Sequence, residues 1–338
     1  MSKPITSQGL RKINILAGIL HLAQMATVLA LSSDFSLPVT ATYMAGPPGS
    51  TFAPSVILFE TPVGLTVAIF LGLSALAHFI VASPQFFPRY IAGLAAQRNY
   101  FRWVEYSISS SVMIVLIAQV TGVADITALI AIFGVNASMI LFGWLQEKYE
   151  TPGNGGWLPF IFGCITGIVP WIALLFYVFS IGGPGDTSAP AFVYFIVLTI
   201  FLFFNSFALV QWLQYKKVGK WSDYLRGERT YITLSLVAKS ALAWQIFTNT
   251  LIPPMKSSLY FPALHRSEQY FTLSQSRAHF FRHSNSRPQC AQTFGGNPFL
   301  VFAFIFKRTG LHFKNSSSPC KVSLINHGAI SICSCTRV

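Results

Sequence analysis

Charge is scarce in this sequence. Asp, Glu, Lys and Arg together fill 10% of its 338 positions, and acids number only ten. Soluble domains carry about 25% charged residues, so a water-soluble globular fold is excluded. Cysteine is also sparse: Cys164 is the only one before residue 256, and it reads as a buried packing residue. What is abundant is apolar mass, with hydrophobic residues at 53% and Phe alone at 31 positions. The balance is that of an integral, multi-pass membrane protein.

A helix crosses a hydrocarbon layer in roughly 20 apolar residues, and seven such spans are present. They lie near Ile13 to Ser32, Thr61 to Ser83, Tyr100 to Gly122, Ile126 to Leu145, Trp157 to Ile181, Ala189 to Trp212 and Thr230 to Ile252. The fold class is therefore all-α, a seven-helix membrane bundle. The first span follows Lys3, Arg11 and Lys12 and so has the flank of a signal peptide. Its length, and His21 and Gln24 within it, favour a retained helix.

The basic residues alternate between loops. Lys3, Arg11 and Lys12 precede span one, Arg89 and Arg98 separate spans two and three, Lys148 follows span four, and Lys216, Lys217, Lys220, Arg226 and Arg229 precede span seven. The opposite loops hold no Lys or Arg; they carry Asp34, Glu60, Asp125 and Asp186. By the positive-inside rule the amino terminus is cytoplasmic and the end of span seven is outside. Between spans one and two, β-branched and aromatic residues flank the turn signal GPPG, which suggests a short hairpin, an irregular loop being the alternative.

From about residue 255 the chain changes character. Residues 256–338 hold ten Lys and Arg against one acid, five of the seven His and four of the five Cys. This segment reads as a basic, poorly ordered extension of a membrane domain spanning residues 1–254. It supplies +9 of the net charge of +13, leaving +4 for the membrane domain, so basicity is no argument for a nucleic-acid partner. Cys290, Cys320, Cys333 and Cys335 lack metal-binding spacing. Were the extension outside, Asn315-Ser316-Ser317 could accept a glycan.

Within the spans one lysine stands out. Lys239, in the stretch SLVAKSALAW, lies about ten residues into span seven, where a cation costs roughly 2.5–3.5 kcal/mol on insertion scales. An ion pair, a neutral amine or a covalent bond to a ligand could offset that cost. Glu105 is the one carboxylate clearly inside a span; Glu147 and Asp125 sit at span ends, where a charge can meet water. Glu105 comes out several ångströms shallower than Lys239, and a start of span three near Ala95 would remove most of that gap. A structural ion pair without a ligand is the alternative.

Seven spans, a lysine in the last and Arg102-x-x-Glu105 in the third resemble the microbial rhodopsins, which bind retinal as a Schiff base. The inverted orientation, the long first outer loop and the stretches WVEYSISSSVMIVLIAQ, FGVNASMILFGWLQEKY, FLFFNSFALVQW, YLRGER and LSLVAKSALAWQIF resemble the heliorhodopsins over nearly all of residues 10–254. The resemblance implies all-trans retinal on Lys239 with Glu105 as counterion. It also implies that Ser235 and Ser110 lie near the Schiff base and that Tyr106, Met139 and Phe204 line the polyene pocket, residues that otherwise read as helix packing.

His21, Gln24 and His78 would line a polar cavity on the cytoplasmic side, closed by Trp144, Asn136 and Glu147; two buried, hydrogen-bonded histidines are the plainer reading. The implied function is light sensing with a slow photocycle and no net pumping, through a homodimer in membrane lipid and a signalling partner on the cytoplasmic side. No enzymatic constellation is visible. Where proton pumps place a donor carboxylate, eleven positions after Glu105, this chain has Leu116. A light-gated channel or pump, and a non-retinal transporter or receptor, are the rival classes.

Overall fold

A computed structural model describes residues 6–183 and 188–252. The basic extension, with its cysteines and the Asn315 sequon, lies outside the described residues. Eight α-helices and one hairpin follow in order: α1 (Ser7–Leu31), β1 (Ser36–Ala41), β2 (Val56–Pro62), α2 (Val63–Ala82), α3 (Phe87–Ala95), α4 (Tyr100–Thr121), α5 (Ile126–Tyr149), α6 (Leu158–Val178), α7 (Ala191–Tyr215) and α8 (Tyr224–Ile246).

Six of the described helices, all but α3 and α8, are long and apolar enough to cross a membrane. α8 completes the seven-helix bundle; its composition sets it apart, because Arg226, Glu228, Arg229 and Lys239 interrupt the apolar run. α3 is a short connector whose Tyr90 and Leu94, one turn apart, are buried. Outward positions such as Leu16, Leu65, Ile165, Ile168 and Leu202 are at least half exposed. Lipid, rather than water, is the solvent that suits such faces.

The helix boundaries follow local chemistry. Thr6 caps α1 by accepting from Gly9 N, Asn99 caps α4 through Arg102 N, and Asp223 caps α8 through Leu225 N. Gly122, at φ 109°, ends α4 in the left-handed conformation that glycine adopts without strain. Asp125 then caps α5 through the main chain of Thr127 and Ala128 and the Thr127 hydroxyl. Capping begins α8 six residues before the expected Thr230, which brings Glu228 inside the helix.

The expected hairpin forms. β1 and β2 pair antiparallel, with a register shift at Val39/Thr40, and the turn runs through Pro47 to Ser50. Gly49, at φ 95°, takes the position where a type II turn requires a positive angle. The hairpin is tied to the bundle by Thr40 N donating to Ala124 O at 2.8 Å and Val63 N to Phe35 O at 3.0 Å. Beside it, Ser33 N donates to Leu251 O at 2.8 Å. This hairpin end of the bundle holds the larger apolar core, including Phe70, Leu116, Ile117, Leu174, Ile200 and Leu242. A smaller cluster of Leu10, Ala17, Val81, Tyr90, Leu94 and Ile232 packs toward the end with the basic loops.

Candidate functional site

Lys239 is buried, at 3% exposure. Its Nζ lies 2.6 Å from Glu105 Oε1 and 2.5 Å from Ser74 Oγ, and Ser74 in turn donates to Glu105 Oε1 at 2.6 Å. The expected depth gap is closed by reach rather than by an early start of the third span, since Asn99 caps α4 at Tyr100 and residues 87–95 form the separate helix α3. Helical side chains tilt toward the N-terminus, and the long lysine stem carries its amine down toward Glu105. Ser74 was not singled out in the sequence. Its signal is spacing: it sits one turn before His78 on α2.

Ser235, one turn before Lys239 on α8, is 2% exposed. Tyr106 donates to Tyr231 O at 3.0 Å, and its ring centre is 5.2 Å from Lys239 Nζ, within cation–π range. From the amine, a cavity of about 350 Å³ extends among α4 to α8. Tyr106, Met139, Phe204, Phe207 and Trp171 line it, as do Ser110 and Ser235. Trp171 meets Phe204 edge-on at 5.6 Å. Gly163 and Gly167 of α6 also border the space, and a Cβ on Gly167 would come within 2.5 Å of Met139 Sδ.

The expectation that Asn136, Trp144 and Glu147 close the histidine region is corrected. Asn136 does not join the histidines: its Nδ2 donates to Ser110 at 2.9 Å and Ser111 at 3.0 Å, sealing the α4/α5 seam. Trp144 packs on Tyr100 with the rings tilted by 40°, and Glu147 turns away into another network. The histidines themselves do meet. His21, fully buried, stacks on His78 with centroids 5.7 Å apart, and His78 Nδ1 is 2.8 Å from Asn14 Oδ1. Both ring nitrogens of His21, and Gln24 Oε1, have no partner among the described residues. Cys164 is likewise not a packing residue; it is exposed on α6 beside the cavity.

The second buried charge cluster was not expected. Arg102 forms ion pairs with both Glu147 and Glu228, at 5%, 5% and 2% exposure respectively. Glu147 therefore does not meet water at a span end, and Glu105 is not the only buried carboxylate. Tyr90 and Asn99 Nδ2 donate to Glu228 at 2.9 and 2.8 Å; Trp103 Nε1, Asn99 N and Tyr224 donate to Glu147 at 2.6, 3.0 and 3.0 Å. The guanidinium also lies 4.1 Å from the Tyr231 ring centre. On α3, burial and then Glu228 push the Tyr90 phenol well above its ordinary range, so it stays a donor. Gly143 admits Trp103 against α5, where a Cβ would lie 2.5 Å from the indole. YLRGER carried Glu228 in plain sight, but only its early helix start makes the residue internal.

A sequence profile of the heliorhodopsins matches residues 10–251. The chain belongs to the heliorhodopsin family. Its fold is also similar to that of a solved structure, a light-driven proton pump from Leptosphaeria maculans, with a TM-score of 0.50 at 14% identity over 72% of this chain and 94% of that one. No curated protein sequence matches. Heliorhodopsin membership makes this a rhodopsin with a retinal chromophore, and the residues present fit one: a buried primary amine with its own carboxylate opens onto a long apolar cavity of ligand size.

Proposed function

We propose that this chain is a light sensor that carries all-trans retinal on Lys239 and moves no net ions. The observation that carries the reading is the Lys239–Glu105–Ser74 contact beside the aromatic cavity. Retinal bound there supplies visible absorption and a change of shape in light. The chain does the rest. Glu105 and Ser74 hold the positive charge at Nζ, Tyr106, Met139 and Phe204 orient the ligand, and Ser235 and Ser110 supply hydroxyls beside the linkage.

His21 and His78 are the proton acceptors in this reading, because the His21 ring has no hydrogen-bond partner among the described residues and its one basic nitrogen is uncommitted. The other direction is blocked by Leu116, which is fully buried in apolar core. Arg102, Glu147 and Glu228 bind one another at the basic end and leave no open relay. The basic loops face the cytoplasm, and a signalling partner docks there; the exposed apolar strand Val56–Phe59 supports pairing of two copies.

Adding all-trans retinal to the purified apoprotein should give a visible band, and Lys239→Ala should abolish it. A covalent, red-shifted chromophore in the alanine variant would move the attachment site elsewhere. Under voltage clamp, light should give no steady current; one that reverses with the proton gradient would make the protein a channel, and one that persists against it a pump. Protease added to intact cells should spare an amino-terminal tag, and cleavage would invert the topology.

A further inference from the structure

A second cavity, about 540 Å³, opens sideways between α2, α3 and α4. Leu76, Ala77 and Ile80 of α2 and Val104 and Ile108 of α4 form its apolar walls. Arg89 on α3 and Arg98 in the turn before α4 also line it, both exposed. Arg98 donates to Lys148 O at 3.3 Å, a main-chain acceptor. Neither arginine takes part in the three ion pairs of the described residues, and the nearby carboxylates Glu147 and Glu228 are committed to Arg102. An apolar slot with two uncompensated guanidinium groups has the polarity of an amphiphile with an anionic head.

We propose that this cleft binds one anionic phospholipid from the leaflet on the basic side. Its phosphate sits between Arg89 and Arg98, whose planar forks match phosphate oxygens, and one acyl chain lies along α2 and α4. A free phosphate would leave the apolar walls uncovered, and a neutral lipid would leave the cations unmatched. Basic pockets between membrane helices hold lipid headgroups by this same pairing. Glu105 lines the cleft as well as contacting Lys239, so the acyl chain covers the membrane-facing flank of that carboxylate. The site does not depend on the retinal reading.

The test uses the full chain in nanodiscs of phosphatidylcholine with a minor fraction of phosphatidylglycerol, and native mass spectrometry of the lipid retained. One phosphatidylglycerol should stay bound per chain in preference to phosphatidylcholine. Arg89→Gln with Arg98→Gln should weaken its retention roughly thirty-fold, at about one surface-cation increment per arginine. Ala77→Phe, which fills the slot and keeps both charges, should also release it. Equal retention of the two lipids by the unaltered chain, or undiminished phosphatidylglycerol in either variant, overturns the proposal. The lipid comparison on the unaltered chain needs no variant to fold, and mass rather than colour is read, so failure here is separate from failure of retinal binding.

Discussion

Ser74 of α2 donates to Glu105 of α4 at 2.6 Å while accepting from Lys239 at 2.5 Å, so one hydroxyl bridges both ends of the buried ion pair. Ser74→Ala removes a hydrogen bond to charged groups, an interaction of about 1.5–3 kcal/mol. The variant should unfold at lower temperature and, when loaded with retinal, shift its visible band. An unchanged spectrum would assign Ser74 to packing alone.

Replacing Glu105 by Gln keeps the shape of the contact and deletes its charge. Lys239 then has no carboxylate within bonding distance among the described residues. The visible band should shift and respond to added chloride or bromide as a substitute anion. A spectrum insensitive to both the substitution and halide across pH 4 to 10 would assign the counterion elsewhere.

The Arg102 cluster should be a stability element. Glu228→Ala removes one of the two carboxylates on Arg102 and leaves the buried Tyr90 hydroxyl and Asn99 Nδ2 without their acceptor, at a cost of about 1–3 kcal/mol for each stranded donor. Reversible unfolding in mixed micelles measures this. A loss below about 1 kcal/mol would mean that Glu147 alone satisfies the guanidinium.

At the hairpin end, the Thr127 hydroxyl and then the Ala128 N–H hold the Asp125 carboxyl below the usual aspartate range. A depressed folded value stabilises above the unfolded pKa and fades as pH falls through the folded one. Asp125→Asn should therefore lower the melting temperature at neutral pH, and the gap to the unaltered chain should close in acid. A gap that stays constant down to pH 2 would show that the charge is not what stabilises the cap.

The spans and the Lys239–Glu105 pair were legible because lipid forbids unpaired charge, which makes two ionisable residues in apolar runs conspicuous. Glu147 and Glu228 escaped the same logic. They sit near helix ends, where only the fold decides between water and burial, and the early capping of α8 by Asp223 decided it. Ser74 was hidden for another reason: a serine within a helix ordinarily bonds its own preceding turn, and Phe70 O lies 3.1 Å from Ser74 Oγ as that alternative acceptor. Asn136 shows the limit of depth as a guide. It lies at a plausible level for the histidines yet faces the α4/α5 seam.

The main-chain ties at Ser33–Leu251, Phe35–Val63 and Thr40–Ala124 give the molecule a mechanical asymmetry. They fasten the exit of α1, the entry of α2, the α4–α5 turn and the last turn after α8 into one hub. The other end is held by side chains instead, through the ion pairs of Arg102 with Glu147 of α5 and Glu228 of α8. Along the 22 residues of α4, roughly 33 Å at 1.5 Å per residue, a tilt of a few degrees about that hub becomes a sweep on the order of 2 Å at the opposite tip. A disturbance at Lys239 that tilts α4 about this hub would therefore load the Arg102 ion pairs rather than the hairpin.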